Sequence, residues 1–320
     1  MTGADASAEV VTGGEAMGLL LASGDVNLSA ARQFNAEIAG AESNLAVGLA
    51  RLGHRVAYYG RVGDDVFGQR IRNELRGEGV DVSALAVDDE RPTGLLFRDS
   101  VQGAPLTVLY RRSNSAASAL SVSDIPEAAI VAARVLHVTG ITAALSETAY
   151  AATVAAMVLA RGAGVHVSFD PNLRLRLAPA DRWRQIVDEL ARHSDTVLTG
   201  AEEAEVFCPG QDVISWLTER SVATVVLKHG VDGASEHDTA SGDSCREPAR
   251  QVPVVDPVGA GDAFDAGWLS AWLHGRPAQQ RLREGCAVAS VVVASRGDCV
   301  GLPDARLRDA LLSPGPDVRR

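Results

Sequence analysis

The chain has 320 residues, 46% of them hydrophobic, and a formal net charge of −11 at pH 7. That length suits one large α/β unit with an appendage, and that acidity argues against a nucleic-acid backbone, which selects basic surfaces, as the main partner. No apolar run reaches the ~18 residues of a membrane span, and residues 1–9 lack the basic region and apolar stretch of a signal peptide.

Residues 1–8 and 313–320 read as flexible tails around a body spanning 9–312. Val10 to Gly13 is a first strand entering a glycine turn. Leu19 to Ile38 has broken periodicity, as strands or loops outside the main core would have. A helix is expected over Asn44 to Leu52, stopped by Gly53, then a strand over Arg55 to Gly60. Asp64 to Gly77 contains a helix with Asp64 and Asp65 in capping position, and Gly79 to Val87 is a connector with a strand end. Thr93 to Arg98 and Thr107 to Arg112 alternate apolar and polar residues across a turn containing Gly103, which is a hairpin pattern.

Beyond the hairpin, strands over Val135–Thr139, Val165–Asp170, Thr196–Leu198 and Thr224–Lys228 alternate with helices over Ser146–Gly162, Ala180–Arg192 and Asp212–Arg220. Short apolar strands separated by amphipathic helices predict a mostly parallel sheet covered on both faces. Ligands of such sheets gather at the carboxyl ends of the strands, where Asp170, Thr199 and Lys228 fall. A helical segment runs from Ala263 to Leu273, with Phe264, Trp268, Leu269 and Trp272 at helical spacing. Cys208, Cys245, Cys286 and Cys299 form no CxxC pair, which suits reduced thiols in a cytoplasmic protein, and Cys286 reads as buried filler.

The chemistry concentrates in Asp256-Pro257-Val258-Gly259-Ala260-Gly261-Asp262. Gly259, Ala260 and Gly261 leave a turn with almost no side chains at a helix start, where free amides and the macrodipole favour an anion. Asp262 stands in the same turn, so the stretch offers an anion hole beside a carboxylate, the pair that phosphoryl transfer needs. Taken alone, a helix N-cap is the stronger reading of Asp262. Asp170-Pro171-Asn172-Leu173-Arg174 is either a turn or a polar cluster in which Arg174 offers a fork to a carboxylate or phosphate. Glu202 and Glu203 are first-turn acids, or hold magnesium through water. Lys228-His229-Gly230-Val231-Asp232-Gly233 is a tight hairpin turn or a nucleotide edge. On the second hairpin strand Tyr110 and Arg112 share a face and Arg111 points away. Arginines on an exposed edge strand often serve only as charges against aggregation; a Tyr and an Arg facing one site would instead recognise a hydroxylated, acidic molecule.

Walker A, Gly-x-Ser-x-Gly and His-Glu-x-x-His patterns are all absent from the sequence. The set of motifs instead resembles the PfkB or ribokinase family of carbohydrate kinases. Gly259-Ala260-Gly261-Asp262 after Asp256 is similar to that family's C-terminal signature. Gly40-Ala41-Glu42-Ser43-Asn44, Arg51-Leu52-Gly53 and Gly60-Arg61-Val62-Gly63-Asp64-Asp65-x-Phe67-Gly68 are similar to its N-terminal one. The resemblance implies an α/β ribokinase-like fold with a small β lid built from about residues 14–38 and 93–112. It implies ATP and Mg2+ as cofactors, with a monovalent cation known in relatives but not legible here. Asp262 would be the general base, and the amides of Gly259, Ala260 and Gly261 the anion hole. Lys228, Gly230 and Gly233 would lie along the nucleotide, and Glu203 would hold magnesium through water, although Gly200 replaces the family's Asn.

Thr93-Gly94, Tyr110 to Ser118, Val138-Thr139-Gly140-Ile141 and Asp170 to Arg174 resemble the 2-keto-3-deoxygluconate kinases within that family. Arg112 and Arg174 would meet the substrate carboxylate, and Gly40, Asn44 and Tyr110 the rest of the sugar acid. Leu96 or Phe97 stands where a substrate-contacting Tyr is usual, which keeps a neutral sugar such as fructose or ribose, or a nucleoside, in play. A non-catalytic sugar binder is the reading from another class. The lid often makes a homodimer or larger oligomer in relatives. Residues 236–250 read as a mobile surface loop near the nucleotide end.

Overall fold

Strand β1 (Val10–Gly14) is buried at every position, the pattern of a strand covered on both faces. In the computed structural model, which describes residues 7–101 and 107–313, it lies inside a nine-stranded sheet. The chain then leaves that sheet, and β2 (Met17–Ala22) and β3 (Phe34–Ala39) pair antiparallel in a second one. Helix α1 (Ala41–Arg51), strand β4 (Val56–Gly63), helix α2 (Val66–Gly77) and strand β5 (Leu85–Asp88) return to the main body. The predicted hairpin, β6 (Leu95–Arg98) with β7 (Val108–Arg111), rejoins the second sheet. Helix α3 (Glu127–Ala132), strand β8 (Val135–Thr139) and helices α4 (Gly140–Leu145) and α5 (Glu147–Gly162) follow. Next come β9 (His166–Asp170), α6 (Ala180–Arg192), β10 (Thr196–Gly200), α7 (Ala201–Phe207), α8 (Val213–Thr218) and β11 (Thr224–Lys228). The chain closes with β12 (Ala234–Asp238), β13 (Ser244–Glu247), α9 (Ala260–Leu273), α10 (Ala278–Val293) and α11 (Ala305–Leu312).

The main sheet runs β13-β12-β11-β10-β9-β8-β1-β4-β5 and is parallel from β11 to β5, with β12 and β13 antiparallel at one edge. Helices cover both faces, as the alternation predicted. Helices α5 and α6 pack Met157, Trp183 and Leu190 on one side, and α1, α9 and α10 pack Leu45, Trp268 and Val288 on the other. Strand order reverses at β1, so the crevice at the carboxyl ends of β1 and β8 is the place for a ligand.

The second sheet, β3-β2-β6-β7, stands over those ends. Its register sorts the two faces. Leu19, Leu96 and Tyr110 pair across one face, followed by Leu21, Arg98 and Val108; Leu20, Phe97 and Leu109 pair across the other. Leu96, Arg98, Val108 and Tyr110 line the cleft below, so Leu96, not Phe97, is the position facing the ligand.

Three expectations need correction. Residues 236–250 are not a mobile loop, since they contribute β12 and β13. Glu236 is buried, its Oε2 accepting from Trp268 Nε1 at 2.9 Å and its carboxylate paired with Arg281, so a polar edge hides an ordered hairpin. Helix α1 starts at Ala41, earlier than Asn44, because Glu42, Ser43 and Asn44 are buried polar groups that apolar periodicity cannot register. Asp65 caps α2 as expected, accepting from Phe67 N at 3.0 Å and Gly68 N at 2.8 Å. Residues 1–6 and 314–320 of the expected tails, and the Gly103 turn, lie outside the described residues. Ala8, assigned to the first tail, packs against the core. Among the described residues no helix is long and apolar enough to cross a membrane.

Candidate active site

Helix α9 begins at Ala260, just after Gly259, whose φ of 80° lies in the left-handed region. A Cβ there would also meet the Asp298 carbonyl oxygen at 2.9 Å, so both backbone and space call for glycine. Gly259 holds the cap position and Asp262 is the third helical residue, which sets aside the N-cap reading of Asp262. The Asp262 carboxylate is held from outside the helix. Its Oδ2 accepts from Asn44 Nδ2 at 2.7 Å and its Oδ1 from Asn172 Nδ2 at 3.1 Å. Asn44 is itself oriented, because its Oδ1 accepts from Cys299 Sγ at 3.0 Å. Burial pushes the Asp262 carboxyl up to about 6, and the charge of Asp170 adds to that, against the Asn44 hydrogen bond, Arg174 and Lys228. Such a group is ionised at neutral pH yet more basic than an ordinary Asp, which suits proton abstraction from a hydroxyl.

Lys228 ends β11 with its Nζ 2.9 Å from Asp170 Oδ2 and 3.1 Å from Asp265 Oδ1. Burial alone would lower its pKa, but Asp170, Asp265 and Glu203 outweigh that and hold the ammonium charged. A Cβ on Gly261 would meet nothing nearer than that Nζ, at 3.7 Å. The start of α9 therefore offers amides without intrahelical acceptors beside a fixed cation. Ala260 N leans back on Pro257 O at 3.3 Å, a long bond that an anion could displace. Lys228→Met strips Asp170 and Asp265 of their cation and should destabilise the fold by ~3–5 kcal/mol. Thermal melting checks this, and adding Asp265→Asn should recover part of the loss, whereas an unchanged melting point would contradict it.

A cleft of about 1130 Å³ brings all the predicted residues together. Gly40, Asn44, Tyr110, Arg112 and Arg174 line the part under the second sheet. Gly259, Ala260, Gly261 and Asp262 form its floor, and Glu203, Lys228, Gly230 and Gly233 its far wall. Gly40 has a φ of 145°, and a Cβ there would be 2.3 Å from Glu15 O, so Gly40 serves close backbone approach. Gly230 opens and Gly233 follows a short 3-10 turn between β11 and β12, which joins those strands as the hairpin expected at Lys228.

Arg112 already has a partner within the protein. It forms an ion pair with the buried carboxylate of Glu15, and its guanidinium lies 5.2 Å from the centre of the Tyr110 ring. Burial pushes Glu15 up to about 7 despite Arg112, with Glu42 adding to the rise. Arg174 is exposed and donates to Leu173 O at 2.8 Å, leaving the rest of its fork toward the cleft. Glu203 spends both oxygens on protein, accepting from Leu173 N at 2.7 Å and Gly200 N at 2.9 Å. Magnesium that keeps its own waters fits this donor set better than direct coordination does. Among the described residues no group of three or more His, Cys, Asp or Glu is placed to hold a metal.

Glu15, Arg98 and Asp298 were not singled out as site residues by sequence reasoning, and Asn172 entered only as a member of the Asp170–Arg174 cluster. Glu15 carried one usable signal, a charged residue directly after the Gly13-Gly14 turn at the end of a buried strand.

A lidded parallel sheet with a carboxylate, a lysine and a glycine turn converging at one end defines a ribokinase-like protein. The structure of a putative ribokinase II from E. coli in complex with ATP and Mg2+ matches at a TM-score of 0.88 over 95% of this chain and 99% of that one, at 24% identity. The PfkB protein from Polaromonas sp. JS666 matches at a TM-score of 0.86 and 36% identity over 95% and 100%. Residues 7–305 match the pfkB family carbohydrate kinases, and the chain belongs to that family. It is 37% identical over 311 residues to the 2-dehydro-3-deoxygluconokinase of Bacillus subtilis (strain 168), covering 95% of both chains. The 2-dehydro-3-deoxygluconokinase of Thermoproteus tenax is 34% identical over 286 residues, covering 87% of this chain and 86% of that one.

Proposed function

We propose that this carbohydrate kinase transfers the γ-phosphoryl group of ATP to a primary hydroxyl of a small sugar acid, 2-keto-3-deoxygluconate (2-dehydro-3-deoxygluconate). The observation that carries the reading is the Asp262 carboxylate, raised to about 6 and fixed by Asn44 and Asn172 at the start of α9. Asp262 takes the hydroxyl proton as the new O–P bond forms and the bond to the departing ADP oxygen breaks. The amides of Gly259, Ala260 and Gly261, with Lys228 alongside, stabilise the charge on the moving group. Arg112 and Arg174 meet the sugar carboxylate, with Gly40, Asn44 and Tyr110 around the rest of the molecule. Gly230 and Gly233 border the nucleotide. Magnesium, held through water at Glu203, would supply charge neutralisation on the phosphates.

The kinase domain in this reading spans 9–312, with a discontinuous lid from about 14–38 and 93–112 that excludes water when closed. The outer lid face supports a homodimer contact: Phe34 and Leu109 are 39% and 41% exposed, and Phe34 meets Phe97 edge to face. The four cysteines are all free thiols, in keeping with a cytoplasmic setting. Leu96 gives the cleft no hydroxyl donor and Arg112 is already paired, which favours a keto-deoxy acid of another configuration, or a neutral ketose, as the second reading.

Phosphorus NMR of the product tests the reading. The expected signal is a phosphate monoester on a primary carbon, formed one for one with ADP. ADP accompanied by free inorganic phosphate would contradict it.

A further inference from the structure

Arg98 is among the largest side chains fully sealed inside the protein, at 1% exposure. It stands on β6, on the face of the lid sheet turned to the cleft, and crosses to the main body. Its Nη2 donates to Asp256 Oδ2 at 2.7 Å and its Nη1 to Asp298 Oδ1 at 2.9 Å. Both acceptors frame the glycine turn. Asp256 Oδ1 accepts from Val258 N at 3.1 Å, immediately before Gly259. Asp298 closes the other side, with its backbone oxygen against Gly259. A planar guanidinium can satisfy two carboxylates at fixed spacing, which a lysine ammonium cannot reproduce. Burial raises Asp298 and Arg98 pulls it back, so the guanidinium also helps to keep that carboxylate ionised.

We propose that Arg98 is a positioning residue that ties the lid strand β6 to the Asp256–Gly259 turn, so that lid closure and a formed anion hole are one state. The inference rests on the reading of that turn as the phosphoryl site. Moving β6 away would strand one buried cation and two buried carboxylates, and this is what makes separate motion of lid and turn unfavourable. Arg98 acts through Asp256 and Asp298 and takes no proton in the reaction.

The test compares the full-length chain with Arg98→Lys and Arg98→Ala by hydrogen–deuterium exchange and by kinetics with magnesium, ATP and 2-keto-3-deoxygluconate. In Arg98→Lys, exchange at residues 95–98 and at 254–262 should rise together by at least ~10-fold. The kcat should fall ~10–100-fold with sugar KM within about 3-fold, since the loss is one of positioning. Millimolar guanidinium should restore part of kcat in Arg98→Ala, and if that variant does not fold, Arg98→Lys carries the test. Faster exchange confined to β6, or lowered kcat with unchanged exchange at 254–262, would overturn the proposal. If the wild-type chain phosphorylates no sugar, the functional reading fails, and the paired exchange response still decides whether Arg98 links lid to turn.

Discussion

Asp262→Asn should lower kcat by ~10³–10⁴-fold, the upper range for removing a positioned general base, while sugar and nucleotide affinities stay within about 3-fold of wild type. The amide keeps the shape of the side chain and can still meet Asn44, but it cannot take a proton. In the wild type the rate should fall as pH drops through about 6, where the Asp262 carboxylate becomes protonated. The same shift acts on stability with the opposite sign. A carboxyl whose folded pKa lies above its unfolded value binds protons more tightly when folded, so the fold loses stability as pH rises from near 4 past 6. Asp262 is partly accessible, so screening reduces the effect, and Asp262→Asn should be ~1–2 kcal/mol more stable than wild type at pH 8. That advantage should shrink toward pH 5. Steady-state kinetics and urea unfolding at both pH values check the pair of effects, and equal turnover in the variant would remove Asp262 from the mechanism.

The second large effect belongs to Arg112. Arg112→Ala should reduce kcat/KM for 2-keto-3-deoxygluconate by ~10²–10³-fold, the cost of truncating one side of a buried charge pair, and change that for fructose by no more than ~3-fold. The complication is Glu15, which holds Arg112 in the structure. Arg112 is the strongest influence pulling Glu15 down, with a smaller one from the Ser115 hydroxyl, so its removal lets Glu15 take up a proton, which limits the damage to the fold. The double variant Arg112→Ala with Glu15→Gln separates the causes. If the loss on the acid sugar persists there, it comes from the missing contact to substrate; if activity returns, it came from the stranded Glu15. An equal loss on acid and neutral sugars would show that Arg112 shapes the site without reading a carboxylate.

The legible parts of this protein are those set by local pattern. Thr224–Lys228 was read at its observed limits because buried parallel strands are short apolar runs with helical segments between them. The cleft-facing positions of Tyr110 and Arg112 followed from alternation along β7 and the residue after it. Contacts between distant segments were not legible. Arg98 meets Asp298 across 200 residues, and no periodicity near either one announces the other. Glu15 facing Arg112, and Lys228 between Asp170 and Asp265, depend in the same way on strand order. The β12–β13 hairpin was missed for a different reason. As a polar edge its sequence resembles a loop, and Glu236 is made tolerable only by Trp268 and Arg281 from later helices.

The central claim is a kinase whose site selects a sugar acid. The most direct test is kcat/KM of the wild-type chain, with magnesium and ATP, for 2-keto-3-deoxygluconate, 2-keto-3-deoxygalactonate, fructose, ribose and adenosine. The account predicts a preference of ~10²-fold or more for a keto-deoxy acid, the size expected when charged groups in the site find their partner. Equal or better use of fructose or ribose would contradict it.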